Sequence, residues 1–265
     1  MKTVLTIAGF DPSSGAGVTA DLMVFAAHGL FGTSVITSLT VQSTVGVRSS
    51  EAVSGRTVAE TLDCLHSDLP PAGIKLGMLA TSEVVGIVAD YLERFRRLSP
   101  EAPIVLDPVI RSSSGRELLD ASGVELLARR LLPLASWITP NLDELGVLCR
   151  REVATPDQAV VAARMLQGRY PHLGVIVTGG HLERPDDLVL EPGAEPKWIH
   201  GESIESTSTH GTGCAFSSAM LSRLVMGDGP WDAVCKAKLY VAEAIRSAAP
   251  LGYGKGPLNH LWPLR

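Results

Sequence analysis

Short apolar runs and amphipathic stretches alternate from one end of this chain to the other. No other feature of the sequence restricts its fold so tightly. Strand-like runs cover residues 3–8, 33–41, 73–76, 103–107, 137–139 and 175–178. Helix-like stretches lie between them at 17–27, 58–69, 82–97, 116–131, 142–149 and 156–170. A polar, Pro-containing stretch over 188–203 reads as a hairpin, and helices over 213–226 and 231–248 close the chain. Strands joined through helices run parallel, with the helices covering the sheet on both faces. The expected fold is therefore α/β with a mostly parallel central sheet. No Pro/Gly/Ser linker divides the 265 residues, so one domain over 1–265 is expected.

Open α/β sheets bind ligands past the carboxyl ends of their strands. Here those ends carry Gly9, Gln42, Gly77, Asp107, Asn141 and Gly179. The first strand runs into Gly9-Phe10-Asp11-Pro12-Ser13-Ser14-Gly15-Ala16-Gly17, a glycine turn opening a helix. Its Gly15–Ala20 portion fits the loose GxGxxA dinucleotide pattern. That pattern needs an acid about 20 residues later to hold a ribose, and no acid stands between Asp21 and Glu51. A nicotinamide enzyme is disfavoured on that ground.

The segment His210-Gly211-Thr212-Gly213-Cys214 also precedes a helix, and glycines before free helix N–H groups make an anion cradle. No Walker P-loop occurs in the chain, so bound phosphates are expected at this cradle. Cys214 would sit in the helix's first turn, where the dipole favours thiolate. Asp107, Asn141 and Glu144 should share the same sheet edge. Mg²⁺ takes one or two carboxylates together with phosphate oxygens, whereas the bland alternative for these residues is helix capping. His210 and His181, the latter in Thr178-Gly179-Gly180-His181, read more readily as structural than as catalytic.

Several functions are excluded or disfavoured. With 23 Lys+Arg against 28 Asp+Glu, a net charge of −5, the chain lacks the cations of a general nucleic-acid binder. Residues 22–47 carry no Asp, Glu, Lys or Arg, yet Gly and polar residues interrupt the stretch repeatedly, so it reads as a helix end and a strand rather than a membrane span. Cys64, Cys149, Cys214 and Cys235 lie far apart without zinc spacing. They are expected to be reduced thiols of a cytoplasmic protein, three of them in the core.

Taken in order, TIAGFDPSSGAGVTADL, GTSVITSLTVQSTVGV, IKLGML, VLDPV, SGRELL, WITPNLDEL, GGHL, STHGTGCAFSSA and GYGKGPLNHL span the chain almost end to end. In this ordered set the chain resembles the hydroxymethylpyrimidine/phosphomethylpyrimidine kinases of thiamine biosynthesis, within the ribokinase-like superfamily. The resemblance implies a three-layer α/β/α fold, a homodimer, and ATP- and Mg²⁺-dependent phosphorylation of a pyrimidine hydroxymethyl group and then of its monophosphate. It places pyrimidine binding on Gln42, with Gly9, Ala16 and Met78. It puts the anion hole on Gly211, Thr212 and Gly213, and the general base on Cys214. Asp107 and Glu144 fall on the Mg²⁺–ATP positions, and Asn141 and Thr178 on the nucleotide side.

This chain departs from the family pattern in places. Val41-Gln42-Ser43-Thr44 stands where AQNT is usual, Thr178 where Lys is usual, Ser208 where Asn or Asp is usual, and Phe10 where a small residue is usual. Pyridoxine/pyridoxal kinase is the nearest rival reading, and a non-catalytic pyrimidine-binding protein is another. Ser112-Ser113-Ser114-Gly115 is expected to be a mobile flap.

Overall fold

A computed structural model describes residues 1–112, 115–180 and 184–264. The elements run β1 (Thr3–Phe10), α1 (Gly17–Ala27), β2 (Phe31–Ser43), β3 (Gly46–Ala52), α2 (Gly55–Asp68), β4 (Ile74–Leu76), α3 (Ser82–Leu98), β5 (Ile104–Leu106) and α4 (Ala121–Leu126). They continue with β6 (Trp137–Ile138), α5 (Leu142–Cys149), α6 (Pro156–Arg169), β7 (Gly174–Val177), β8 (Asp187–Leu190), β9 (Lys197–Ile199), α7 (Thr212–Met226) and α8 (Pro230–Arg246). All nine described strands join one sheet in the order β3-β2-β1-β4-β5-β6-β7-β8-β9. The six strands from β2 to β7 in that order are parallel, and β3, β8 and β9 are antiparallel to their neighbours.

Successive strand side chains point to opposite faces, and both faces here are covered. Leu5, Ile7, Ile74, Leu76, Ile104, Leu106, Val175 and Val177 pack against α2 to α6. Val4, Val105, Trp137 and Ile176 pack against α1, α7 and α8. Strands buried on both sides read as continuous apolar runs, which is why the parallel core was legible. α3 shows the helical counterpart: Val84, Val85, Val88, Ala89, Leu92 and Phe95 are buried on one side, and Thr81 caps its first turn.

Three expectations need correction. The strand expected over 33–41 continues to Ser43, turns, and returns as β3, which was not expected. Most of β3 is exposed, so it has no core-facing alternation to announce it. The helix expected over 116–131 begins only at Ala121, where Asp120 accepts a bond from the Gly123 N–H at 2.6 Å. Residues 116–119 instead fold back, with the Leu118 N–H donating to the Ile110 carbonyl at 2.9 Å, and the stretch ends in a π turn over Leu127–Leu131. The cysteines also differ: of the three expected in the core, Cys149 is buried, Cys235 is half-buried and Cys64 is exposed. The 188–203 stretch does form a hairpin, β8–β9. The uncharged stretch 22–47 is the end of α1, a turn at Gly29, β2 and the first residues of β3. Among the described residues no helix is long and apolar enough to cross a membrane.

Candidate active site

The parallel strands deliver their carboxyl ends to one edge of the sheet, and α7 begins there. Gly211, just before α7, has φ +88°, and an added Cβ would lie 1.8 Å from the Gly15 carbonyl oxygen. A Cβ on Gly15 would in turn lie 2.2 Å from Cδ2 of His210. The cradle and the first glycine loop are thus pressed together, and only glycine fits at either position. No side chain caps α7, so its first-turn N–H groups remain for a ligand.

Asp107 follows β5 directly beneath the cradle. Ser217 on α7 donates to its Oδ2 at 3.3 Å, and a Cβ on Gly213 would stand 3.7 Å from that oxygen. Glu144 and Asn141 form a capping box at the start of α5. The Asn141 N–H donates to Glu144 Oε2 at 3.0 Å, and the Ile110 N–H donates to Oε1 at 3.4 Å. Capping therefore holds both residues at this edge of the sheet. Burial pushes the Asp107 carboxyl up, with Lys75 opposing and Asp21 adding. Burial and then the Asp107 charge push the Glu144 carboxyl up as well. Two neighbouring buried carboxylates that resist ionisation together favour a cation between them. This donor set fits Mg²⁺, which takes its remaining ligands from water and phosphate. Among the described residues no group of three or more His, Cys, Asp or Glu converges as a metal site.

A cleft of about 1480 Å³ opens beside these carboxylates, lined by Asn141, Glu144, Thr178, Thr212, Gly213 and Lys238. Lys238 was not anticipated. It donates to Asp187 Oδ2 at 2.7 Å, and Asp187 Oδ1 accepts the Gly179 N–H at 2.9 Å, which holds the turn after Thr178. His181, and Ser113 and Ser114 of the expected flap, lie outside the described residues.

On the other side of the cradle lies a smaller corner. A Cβ on Gly9 would meet Met78 Sδ at 3.1 Å, so these two residues are in contact. The Ala16 N–H donates to Asp11 Oδ2 at 3.0 Å. The Gln42 amide lies 3.0 Å from His210 Nε2, which is itself 2.7 Å from Asp11 Oδ2. Burial works to raise the Asp11 carboxyl, but bonds from His210 and Ser13 outweigh it and hold the group below its ordinary value. His210 therefore joins Gln42 and Asp11 in one hydrogen-bonded cluster, and Asp11 was not singled out from the sequence.

Beneath both halves lies a buried node. Lys75 on β4 donates to Asp21 Oδ2 at 2.9 Å and Oδ1 at 3.1 Å, with both side chains inaccessible to solvent. Thr6 donates to Oδ2 at 2.6 Å and Ser218 to Oδ1 at 2.7 Å, so β1, α1, β4 and α7 meet there. A lysine inside the apolar strand Ile74–Leu76 was the signal available in the sequence.

A family model for phosphomethylpyrimidine kinase matches residues 11–259. The chain belongs to the phosphomethylpyrimidine kinase family. It is 35% identical over 263 residues to the hydroxymethylpyrimidine/phosphomethylpyrimidine kinase of Staphylococcus aureus MRSA252, covering 98% of this chain and 93% of that protein. It is 40% identical over 260 residues to the thiamine biosynthesis bifunctional protein ThiED of Geobacter sulfurreducens, of which it spans about half, 52%. Among solved structures, the ADP complex of Bacillus subtilis pyridoxal kinase superposes with a TM-score of 0.87 at 28% identity, covering 100% of each chain. The phosphomethylpyrimidine kinase of Clostridium difficile 630 superposes at 0.79 with 31% identity, covering 92% of this chain and 100% of that one. The three-layer fold is ribokinase-like.

In this phosphomethylpyrimidine kinase family member the expected Cys214 thiolate is corrected. Burial pushes the thiol up to about 12, with Lys75 opposing and Asp21 and Asp107 adding. Burial, with the two carboxylates adding to it, outweighs the helix-end position that the sequence brought to attention. The expected order of thiol reactivity reverses with it. Iodoacetamide should label exposed Cys64 before Cys214, as peptide mass spectrometry of a time course would show; Cys214 labelled first would restore the thiolate reading.

Proposed function

We propose that the protein transfers the γ-phosphoryl group of ATP, with Mg²⁺, to 4-amino-5-hydroxymethyl-2-methylpyrimidine and then to its monophosphate, in thiamine biosynthesis. The observation that carries this reading is a meeting of three parts at Gly211: the α7 cradle, the buried carboxylates Asp107 and Glu144, and the Gln42–His210–Asp11 corner. One part suits phosphoryl oxygens, one a divalent cation and one a polar heterocycle.

Phosphoryl transfer goes through a loose transition state, so positioning and charge stabilisation do most of the work. The N–H groups of Gly211, Thr212 and Gly213 receive the transferring phosphoryl group. Asp107 and Glu144 would hold Mg²⁺, which neutralises charge on the phosphates when bound. Asn141 and Thr178 border the nucleotide. The Gln42 amide both donates to and accepts from the pyrimidine, beside Gly9, Ala16 and Met78. Cys214 must lose its own proton before it can accept the hydroxyl proton. Neutralising Asp107 removes one of the two carboxylates that hold the thiol proton in place, with Lys75 already opposing them, which eases that loss.

Cys214→Ala should lower kcat by about 10²–10⁴-fold with little change in KM; wild-type kcat would move the base elsewhere. Gln42→Leu should cost about 2–4 kcal/mol of pyrimidine binding and leave ATP affinity unchanged. Titration calorimetry with each ligand checks this, and unchanged pyrimidine affinity would remove Gln42 from the site.

The deciding experiment is mass spectrometry of hydroxymethylpyrimidine incubated with the protein, ATP and Mg²⁺. The monophosphate and then the diphosphate should appear. A second reading, pyridoxal phosphorylation, is favoured by the end-to-end superposition on a pyridoxal kinase. Pyridoxal added as a competitor separates the two. We also infer a single catalytic domain acting as a cytoplasmic homodimer. Four free cysteines support the compartment, and the Leu39, Val41 and Val45 side chains exposed on the β2–β3 hairpin support the dimer.

A further inference from the structure

In the structure the Gln42 amide turns Nε2 toward His210 Nε2 at 3.0 Å and Oε1 toward the Thr40 hydroxyl, which donates at 3.2 Å, but the protons available around it favour the exchanged placement. Asp11 accepts four bonds: Ser13 N–H and Ser13 Oγ donate to Oδ1 at 2.9 and 2.7 Å, and Ala16 N–H and His210 Nε2 approach Oδ2 at 3.0 and 2.7 Å. An ionised carboxylate only accepts, so His210 Nε2 carries its proton whether the ring is neutral or charged. That one N–H points at Asp11 and is at most shared with the Gln42 atom 3.0 Å away, which suits an amide oxygen there better than a second N–H. At its other end the amide lies 3.2 Å from Thr40 Oγ1. Thr40 has one hydroxyl proton, and the Phe10 carbonyl lies nearer to it, at 2.9 Å. A donor at the Gln42 atom facing Thr40 leaves that proton to the carbonyl. Amide oxygen and nitrogen are assigned from such networks, and only Oε1 toward His210 with Nε2 toward Thr40 leaves no like-for-like clash.

We propose that Asp11 and His210 are positioning residues that lock the Gln42 amide with Oε1 on the cradle side, and so set the order of acceptor and donor offered to the heterocycle. This inference rests on the pyrimidine reading above. One lone pair of Oε1 and one hydrogen of Nε2 remain free after the internal bonds are made. His210 opens the cradle segment, so Oε1 is the end nearer the reacting hydroxymethyl group. Around the proposed pyrimidine ring, the carbon bearing the hydroxymethyl group is followed by the carbon bearing the amino group and then by a ring nitrogen. The amino group therefore donates to Oε1, and the ring nitrogen accepts from Nε2. A 4-oxo ring presents the opposite order and is rejected, because its oxygen faces Oε1 and its N–H faces Nε2. The same lock ties recognition to transfer, since His210 is bonded to the first glycine loop through Asp11 and precedes Gly211 directly.

The test has two arms. In the wild-type protein, ¹⁵N NMR of His210 should show a protonated Nε2 across the neutral pH range. An unprotonated Nε2 would overturn the proposal, and this readout needs no substrate. The second arm measures KM and kcat for 4-amino-5-hydroxymethyl-2-methylpyrimidine and its 4-oxo counterpart with wild type and His210→Phe. The variant should lose at least about tenfold of the preference for the 4-amino ring while the KM for ATP stays within about twofold. Retained preference in His210→Phe would overturn the lock. A wild-type protein that accepts neither ring would defeat the pyrimidine reading and leave the protonation result to decide the lock alone.

Discussion

Lys75→Met should lower the stability of the protein by about 3–5 kcal/mol, because it leaves Asp21 as a buried charge without its cation. For a chain of this size that corresponds to a fall in Tm of roughly 6–20 °C. Lys75 and Asp21 are both inaccessible to solvent, so no water replaces the lost partner. The Thr6 and Ser218 hydroxyls still donate to the carboxylate, but neutral donors do not offset a full charge. Lys75→Met combined with Asp21→Leu should recover part of the loss, since an apolar pair carries no desolvation cost. Calorimetric melts of the two variants and the wild type check both values. A single variant as stable as the wild type would show that the pair contributes nothing net. Ser218 lies one turn after Cys214 on α7, so Lys75→Met should also loosen the cradle and lower kcat.

Gly211→Ala should lower kcat by about 10²–10³-fold, the loss associated with one misplaced N–H donor at a developing charge. Two independent obstacles stand against the added methyl group. The φ of +88° costs an L-residue about 1–2 kcal/mol, and the Cβ would sit 1.8 Å from the Gly15 carbonyl oxygen. The cradle must therefore separate from the first loop, which carries Asp11 and Ala16. Gly213→Ala is the control. Its Cβ would make only an ordinary contact with Asp107 Oδ2 at 3.7 Å, so it should lose far less activity. Steady-state kinetics of the two variants distinguish them, and equal losses would place the cradle's essential geometry somewhere other than the Gly211–Gly15 contact.

Much of the fold was legible because parallel strands buried on both faces leave unbroken apolar runs, and amphipathic helices leave a 3.6-residue period. β3 was not legible, because an exposed edge strand has no buried face to alternate. The late start of α4 was missed because Arg116 to Leu119 look helical locally, while their bonds go back to Ile110 and Ser112. At the site, the glycines before α7 and the strand-end residues Gln42, Asp107 and Asn141 stood out by residue type. Lys75 and Asp21 did not, though a charge inside an apolar strand and another within a helix's first turns were the signals to weigh.

The sequence by itself determined the order of strands and helices, the single sheet edge on which the polar strand ends gather, and the glycine cradle that opens α7. The tertiary structure alone decided which of those residues touch and what charge they carry. Asp11 and His210 are 199 positions apart, Gln42 and His210 168, and Lys75 and Asp21 54. The Cys214 thiol illustrates the difference. Its place at a helix N-terminus is local and favours thiolate, but its proton affinity is the sum of burial and of charges from β4, α1 and the end of β5. Burial and charge–charge interaction are properties of everything packed around a group, and no window of sequence contains them.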